Sequence, residues 1–271
     1  MMNRSGAPVV AARLLWIALM APVGAAMAEA EGTADAAKQS LEQAANDPTA
    51  SLMAVQFQNV FAGAYHNLAD EAGNTVLLRP VIPFKTGDLS HIARATIPLV
   101  TQSPSGETGL SDSVVFDLIV FDQPWGRWGL GPVMLLPTAS HAELGAEKWA
   151  AGPALGFVAR QPGLMWGLFN QNLISFAGDA DRDEVKLSIL QPILNISLPH
   201  KWSLGTSEMN ATYDWDKGLW ANLPLGLKVS KLHRFDKLPV QISASYEYNF
   251  ADEVVVPEWS LNLTVKFLFP I

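Results

Sequence analysis

From Ser51 onward the chain alternates apolar and polar residues, and clusters of Gly, Pro, Asn and Asp interrupt it every dozen or so residues. A period of two is the pattern of β-strands. About twelve such segments are marked out, at 51–61, 74–85, 91–102, 113–123, 126–137, 149–160, 165–177, 185–198, 201–213, 219–233, 238–250 and 258–269. Most are near the 9–11 residues that a tilted membrane-crossing strand needs. The connections alternate in length. Long ones fall around 62–73, 103–112, 138–148, 178–184 and 251–257, and short ones at Gln161-Pro162-Gly163, Pro199-His200 and Phe235-Asp236-Lys237. Short turns at one end and long loops at the other predict an all-β fold, a transmembrane antiparallel up-and-down β-barrel of about twelve strands.

The facing is clearest near the C-terminus. Leu261, Leu263, Val265, Phe267 and Phe269 share one face of the last segment, and Ser260, Asn262, Thr264 and Lys266 the other. Val240 to Phe250 alternates in the same way against Gln241 to Asn249. A soluble sandwich also alternates, with its apolar face inward, so alternation alone leaves both architectures open. Tryptophan placement favours the membrane. Trp125, Trp128, Trp149, Trp166, Trp202, Trp215, Trp220 and Trp259 all fall at or beside a segment end, as in the aromatic girdles of membrane barrels. The final alternating segment also runs straight into the chain end, where a closing strand presented to barrel-assembly machinery would lie. Against this, Pro80, Pro83, Pro98, Pro132, Pro153, Pro192 and Pro224 sit inside the segments. A closed barrel has no edge strand to hide a missing N–H, and each proline forgoes about one ladder bond, worth about 1 kcal/mol.

The N-terminus has a different texture. Residues 1–28 combine Arg4 and Arg13, an apolar run from Leu14 to Ala21 and the small residues Ala26-Met27-Ala28, the layout of a cleaved secretory signal. The run is short for a spanning helix and is interrupted by Pro22 and Gly24. Cleavage removes two arginines and no acid, taking the net charge from −8 to −10. Residues 29–50 are rich in Ala, Gln and Glu and end near Asp47-Pro48, which predicts a short surface helix or a disordered lead-in to the barrel at 51–271. With 16% charged residues, 49% hydrophobic residues and a mean hydropathy of +0.16, the chain is neither disordered nor an ordinary soluble domain. The lack of cysteine excludes disulfides, thiolate metal sites and cysteine nucleophiles. A pI near 5.1 argues against a nucleic-acid partner.

Parity places Gln56, Gln58, Arg79, Arg94, Asp117, Asn195, Lys228, Glu247, Asn262 and Lys266 in the barrel interior. Two readings follow. These residues form a polar constriction for small solutes, with Arg79 and Arg94 as its charged element. Alternatively, Arg79, Arg94 and Asp117 pair into a plug that fills a narrow barrel. Both signs of charge are present, so no strongly ion-selective ring is indicated. The acidic run Asp179 to Glu184 spaces carboxylates at alternate positions, but Glu184 and Leu190 stand where a calcium loop of the EF-hand type needs Gly and Glu. His91, His141 and His200 lie near segment ends and Ser140-His141 adjoin Glu143, yet no nucleophile-elbow pattern is present. Gly-rich nucleotide motifs and the HExxH zinc motif are missing too, so neither catalytic residues nor a cofactor or metal is expected.

Several stretches carry a resemblance. They are Arg79-Pro80-Val81-Ile82-Pro83-Phe84, Trp128 to Thr138, Leu144 to Pro153, Ser175-Phe176-Ala177-Gly178 and Leu190-Gln191-Pro192. Together they resemble the outer-membrane barrels of the meta-pathway phenol-degradation type, transporter-like proteins whose likeness runs from about Leu52 to the C-terminus. Where that family usually shows Gly-Leu-Gly-Asp, this chain has Gly109-Leu110-Ser111-Asp112. The resemblance implies an outer-membrane location among lipids, strand prolines as a family habit, and passive passage of a small organic or aromatic solute. A structural or lipid-handling barrel with a closed lumen is the alternative, and an outer-membrane lipid hydrolase a more distant one.

Overall fold

In the computed structural model, which describes residues 39–269, the chain forms one closed antiparallel barrel. The signal segment at 1–28 and the terminal Pro270-Ile271 lie outside the described residues. A single turn-and-a-half helix, α1 (Leu41–Asn46), comes first. The strands are β1 (Met53–Tyr65), β2 (Gly73–Thr86), β3 (Leu89–Gln102), β4 (Gly109–Leu110), β5 (Ser113–Gln123), β6 (Gly126–Leu136), β7 (Lys148–Gln161), β8 (Leu164–Gly178), β9 (Lys186–Leu198), β10 (Trp202–Thr206), β11 (Ala211–Asp214), β12 (Leu219–Asn222), β13 (Pro224–Phe235), β14 (Leu238–Asn249) and β15 (Pro257–Phe269). β10 with β11, and β12 with β13, are broken halves of single crossings, and β4 is a small ribbon on β3, which leaves twelve crossings. Closure comes from β15 against β1, paired in one register from Met53 opposite Phe269 to Ala62 opposite Ser260 and irregular around Ala64.

The exposed side of these strands is their apolar side. Leu225, Leu227 and Leu263 are each more than 60% exposed, whereas Gln241, Asn262 and Asn195 are under 5%. A soluble sandwich would have the reverse, so this inside-out distribution, on a barrel with no free edge, defines a membrane-spanning fold. The tryptophans sort into two rings of four. Trp125, Trp128, Trp166 and Trp202 stand at the short-turn end, and Trp149, Trp215, Trp220 and Trp259 at the long-loop end. Edge-to-face packing of Phe157 on both Trp125 and Trp166, and of Trp259 on Phe61, stiffens the rings.

The prolines interrupt single ladders, beside Pro80, Pro132 and Pro153, without shifting the register across the gap. Pro98 stands opposite Leu77, Pro192 opposite Leu168, and Pro132 directly opposite Pro153, with no shift of register at any of them. Pairing between β6 and β7 runs unbroken through the two opposed prolines, and their missing donors show on the outer sides, where the β5–β6 pairing lapses beside Pro132 and the β7–β8 pairing beside Pro153.

The interior is divided. Ile92 on β3, Phe116 and Leu118 on β5, Val133 on β6, Ala150 and Ala154 on β7, and Phe169 and Leu173 on β8 form one buried apolar cluster. It fills the lumen side of that half as a packed core. Around the rest of the wall, β9 to β15 with β1 and β2, many inward positions are polar, among them Gln56, Gln58, Arg79, Ser203, Ser230, Gln241, Ser243 and Asn262, beside apolar ones such as Leu187, Ile189, Leu232 and Leu268.

Two expectations are corrected. Asp117 does not face the lumen. On β5 the inward residues are Phe116, Leu118 and Val120, so Asp117 points outward, where its carboxylate lies 2.9 Å from His91 Nδ1. The segment before the barrel is not a surface helix either. Glu42, Gln43, Ala45, Asp47, Thr49 and Ala50 are all buried, because α1 and the turn after it sit inside the short-turn mouth.

Candidate functional site

The mouth is closed by side chains from at least five strands reaching the N-terminal segment. Ser40 caps α1 by accepting from Gln43 N at 3.1 Å, and Glu42 then accepts from Asn195 at 3.1 Å and Ser197 at 2.6 Å on β9. Lys266 on β15 donates to the Ala45 carbonyl at 2.8 Å. Asp47 pairs with Arg160 of β7 at 3.1 Å and also accepts from Thr49 Oγ1 at 2.6 Å. Arg127 of β6 donates to the Thr49 carbonyl at 2.6 Å. The apolar side of the plug, Ala45, Ala50 and Leu52, packs on Ala54, Leu232 and Leu268. An amphipathic segment too short to be a stable helix alone is thus held by tertiary contacts.

Above the plug lies a charged constriction. Arg79 on β2 donates to Gln58 Oε1 at 2.7 Å and to both oxygens of Glu208 at 2.5 and 2.6 Å. Glu208 comes from the break between β10 and β11, where the pairing with β9 takes up one extra residue between Gly205 opposite Asn195 and Ala211 opposite Leu190. The extra residue throws Ser207 to Asn210 out of the ladder and into the lumen as an inward bulge. Two local features permit it. Gly226 on the neighbouring strand has no side chain where a Cβ would overlap Ser207 and the Tyr246 carbonyl, and Met209 takes a left-handed conformation at φ +33° with its side chain buried. A non-glycine residue there is strained, and strain of this kind persists where the surrounding structure enforces it. Glu247 accepts from the Met209 N–H at 3.3 Å and ties the bulge to β14.

Arg94, Lys228 and Lys266 point at the same space, a cavity of about 100 Å³ between the constriction and the plug. Gln56 donates to Gln58 at 3.2 Å beside it. The Arg94 guanidinium lies 4.5 Å from the Phe116 ring centre and 5.9 Å from that of Phe169, at the seam between the polar and apolar walls. The structure therefore gathers every proposed interior residue except Asp117 on the lumen side and adds Glu208. Glu208 is missing from a period-two reading because the bulge breaks the period. Its sequence trace is the run Thr206-Ser207-Glu208-Met209-Asn210, five residues with no alternation in an otherwise alternating segment.

The acidic loop is spent on ion pairs. Glu184 pairs with Lys148 at 3.0 Å and accepts from Ser175, Asp183 pairs with Lys217 at 3.3 Å, and Arg182 with Glu147 at 3.2 Å. The Ser175 hydroxyl first, and Lys148 after it, hold the Glu184 carboxyl below its ordinary pKa of 4.5. No group of three ligating side chains gathers to hold a metal among the described residues.

Two polar groups face outward on the wall. One is the His91–Asp117 pair on β3 and β5. The other joins Asn170 and Asn172 of β8 to Ser188 of β9, with Asn172 accepting from Ser188 at 2.6 Å and Trp215 donating to Ser188 at 2.8 Å. The first has a histidine without a serine and the second a serine without a histidine, so neither assembles a nucleophile with its base.

A closed twelve-strand barrel with an inside-out surface and a polar interior wall belongs to the class of outer-membrane β-barrels. Among solved structures the chain is similar to an outer membrane channel from Pseudomonas putida F1, at 13% identity over 80% of this chain and 94% of that one, with a TM-score of 0.57. It also matches the outer membrane phospholipase A of Escherichia coli, at 8% identity over 80% of this chain and 90% of that one, with a TM-score of 0.45. No protein-family model and no curated protein matches the chain.

Proposed function

We propose that this protein is a passive outer-membrane channel for small solutes, oriented with the plugged, short-turn mouth toward the periplasm and the long loops outside. The observation that carries the reading is the asymmetric interior, in which one half of the wall is packed shut with apolar side chains and the other presents Gln, Asn, Ser, Arg and Lys around a cavity. Such groups replace water around a solute as it desolvates to pass a constriction, here the Arg79–Glu208 pair. Likeness of fold to the Pseudomonas putida channel supports the reading. The resemblance in sequence to barrels of the phenol-degradation type directs the search for solutes toward small organic and aromatic compounds.

The plug favours a second reading, a closed structural barrel, because Glu42, Asp47 and Lys266 tie the N-terminal segment to three different strands. Single-channel recording on refolded full-length protein separates the two. Discrete conductance steps are expected. A silent bilayer, with folding confirmed by heat-modifiable migration, would replace the channel by the closed barrel. Turnover of fluorogenic phospholipids in detergent with calcium present would instead point to a hydrolase.

A further inference from the structure

We infer that the cavity between the Arg79–Glu208 pair and the N-terminal plug is a binding site for a small organic monocarboxylate with an apolar tail. The inference builds on the channel reading only in taking the bound anion to be a solute that passes.

The charges around this cavity do not balance. Four cations line it, Arg79, Arg94, Lys228 and Lys266, against two carboxylates, Asp47 and Glu208. Both carboxylates are already engaged, Asp47 with Arg160 and Thr49 and Glu208 with Arg79. That leaves Arg94, Lys228 and Lys266 with no carboxylate within ion-pair distance among the described residues. Lys266 reaches only the Ala45 carbonyl, and Arg94 Nε is buried without a hydrogen-bond partner. Three like charges gathered in a narrow lumen repel one another and lose hydration, a cost that an anion placed among them offsets. Arg94 is held over Phe116 and Phe169 instead of folding back onto a carboxylate of the protein. Its guanidinium edge is therefore left to receive one.

The plug end of the cavity sets the rest of the ligand. Ala50, Leu52, Ala54, Val81, Ile193 and Leu268 line it, and four of these belong to the buried apolar cluster of the plug. Inorganic anions would leave this wall facing water-filled space. A carboxylate carrying a short hydrocarbon tail satisfies both sides at once. An apolar cavity of about 150 Å³ accepts benzene, so a volume of about 100 Å³ fits an acid of a few carbons.

Calorimetry with the full chain refolded in detergent tests this without a bilayer. The probes are sodium butyrate, butyramide, butylammonium chloride and sodium phosphate, each to about 100 mM, in the range where weak solute sites saturate. Butyrate is expected to bind and the other three to bind at least about tenfold more weakly. Lys266→Gln and Lys228→Gln are each expected to lower butyrate affinity by about tenfold, while Leu263→Ala, on the outer face of the barrel, leaves it unchanged. The comparison of butyrate with butyramide is made on the unaltered protein and needs no variant to fold. No heat with butyrate, equal binding of butyramide, or affinity untouched in both lysine variants overturns the site. Phosphate binding as tightly as butyrate overturns its apolar half. Butyrate binding in a protein that passes no current would remove the channel and keep the site, and conductance without butyrate binding would do the opposite.

Discussion

The two halves of the barrel wall face the same lumen and are built on opposite terms. On β3 and β5 to β8 the inward positions are mostly Ile, Phe, Leu, Val and Ala, with Arg94 and Gln171 as polar exceptions, packed so that Ile92, Leu118, Val133 and Phe169 have no exposed surface. On β10 to β15 and β1 they are largely Gln, Asn, Ser and Lys beside a few apolar residues such as Ala54, Leu232 and Leu268, while β2 and β9 mix Arg79, Gln191 and Asn195 with Val81, Leu187, Ile189 and Ile193, and the cavity lies among them. A twelve-strand barrel is wider than its own side chains can fill evenly. This chain packs one half as a core and leaves the other for polar groups and an inserted segment. A packed core and a polar cavity are thereby built on different parts of one closed sheet.

The largest expected effect of breaking this division is on the packed half. Phe169→Ala removes a fully buried ring that packs against Phe116 at 5.2 Å, and should cost about 3–5 kcal/mol in urea unfolding from lipid vesicles. Leu227→Ala, on a side chain 65% exposed to the surroundings, should cost under about 1 kcal/mol. Equal losses would mean that the apolar half is not a core. On the polar half, Arg79→Ala strands Glu208 beside the bulge, with an expected loss of about 2–3 kcal/mol and altered ion selectivity in any conducting state. Asp47→Ala releases Arg160 and Thr49 from the plug. It should cost about 1–2 kcal/mol and raise the conductance or open probability, and unchanged currents would leave the plug without a gating role.

The smallest effect lies outside the membrane. Glu184 is held below its ordinary pKa of 4.5 in the folded loop, so its contribution is complete above that value and is lost as the pH falls through the lower folded value. Amide protection in residues 179–185 should be level between pH 7 and pH 5 and fall below about pH 4.5. Glu184→Gln should remove that dependence.

The same contrast explains what was legible in the sequence. On β14 and β15 one face is polar, the alternation is plain, and the facing of Gln241, Asn262 and Lys266 follows directly. On β5, Val114, Val115, Phe116, Leu118, Ile119 and Val120 are apolar on both faces because lipid lies on one side and a packed core on the other. Nothing in such a run marks which parity is inward, and a slip of one residue exchanges the faces. Asp117 therefore faces outward although a period-two reading sets it in the lumen. Glu208 lay hidden in a bulge that breaks the period, and the burial of α1 depends on partners such as Asn195 and Arg160, more than 100 positions distant in the chain. The tryptophans at strand ends, by contrast, need no parity to be found, because the headgroup preference of indole acts on each residue alone.

The central claim is that solutes meet the polar wall and not the apolar one. Because the chain has no cysteine, single substitutions report directly on this. In refolded protein in lipid vesicles, a small charged thiol reagent should modify Ser243→Cys and Lys266→Cys at measurable rates while Leu118→Cys and Val133→Cys stay protected until the barrel is unfolded. Equal modification on both walls, or modification confined to the apolar one, would contradict the account.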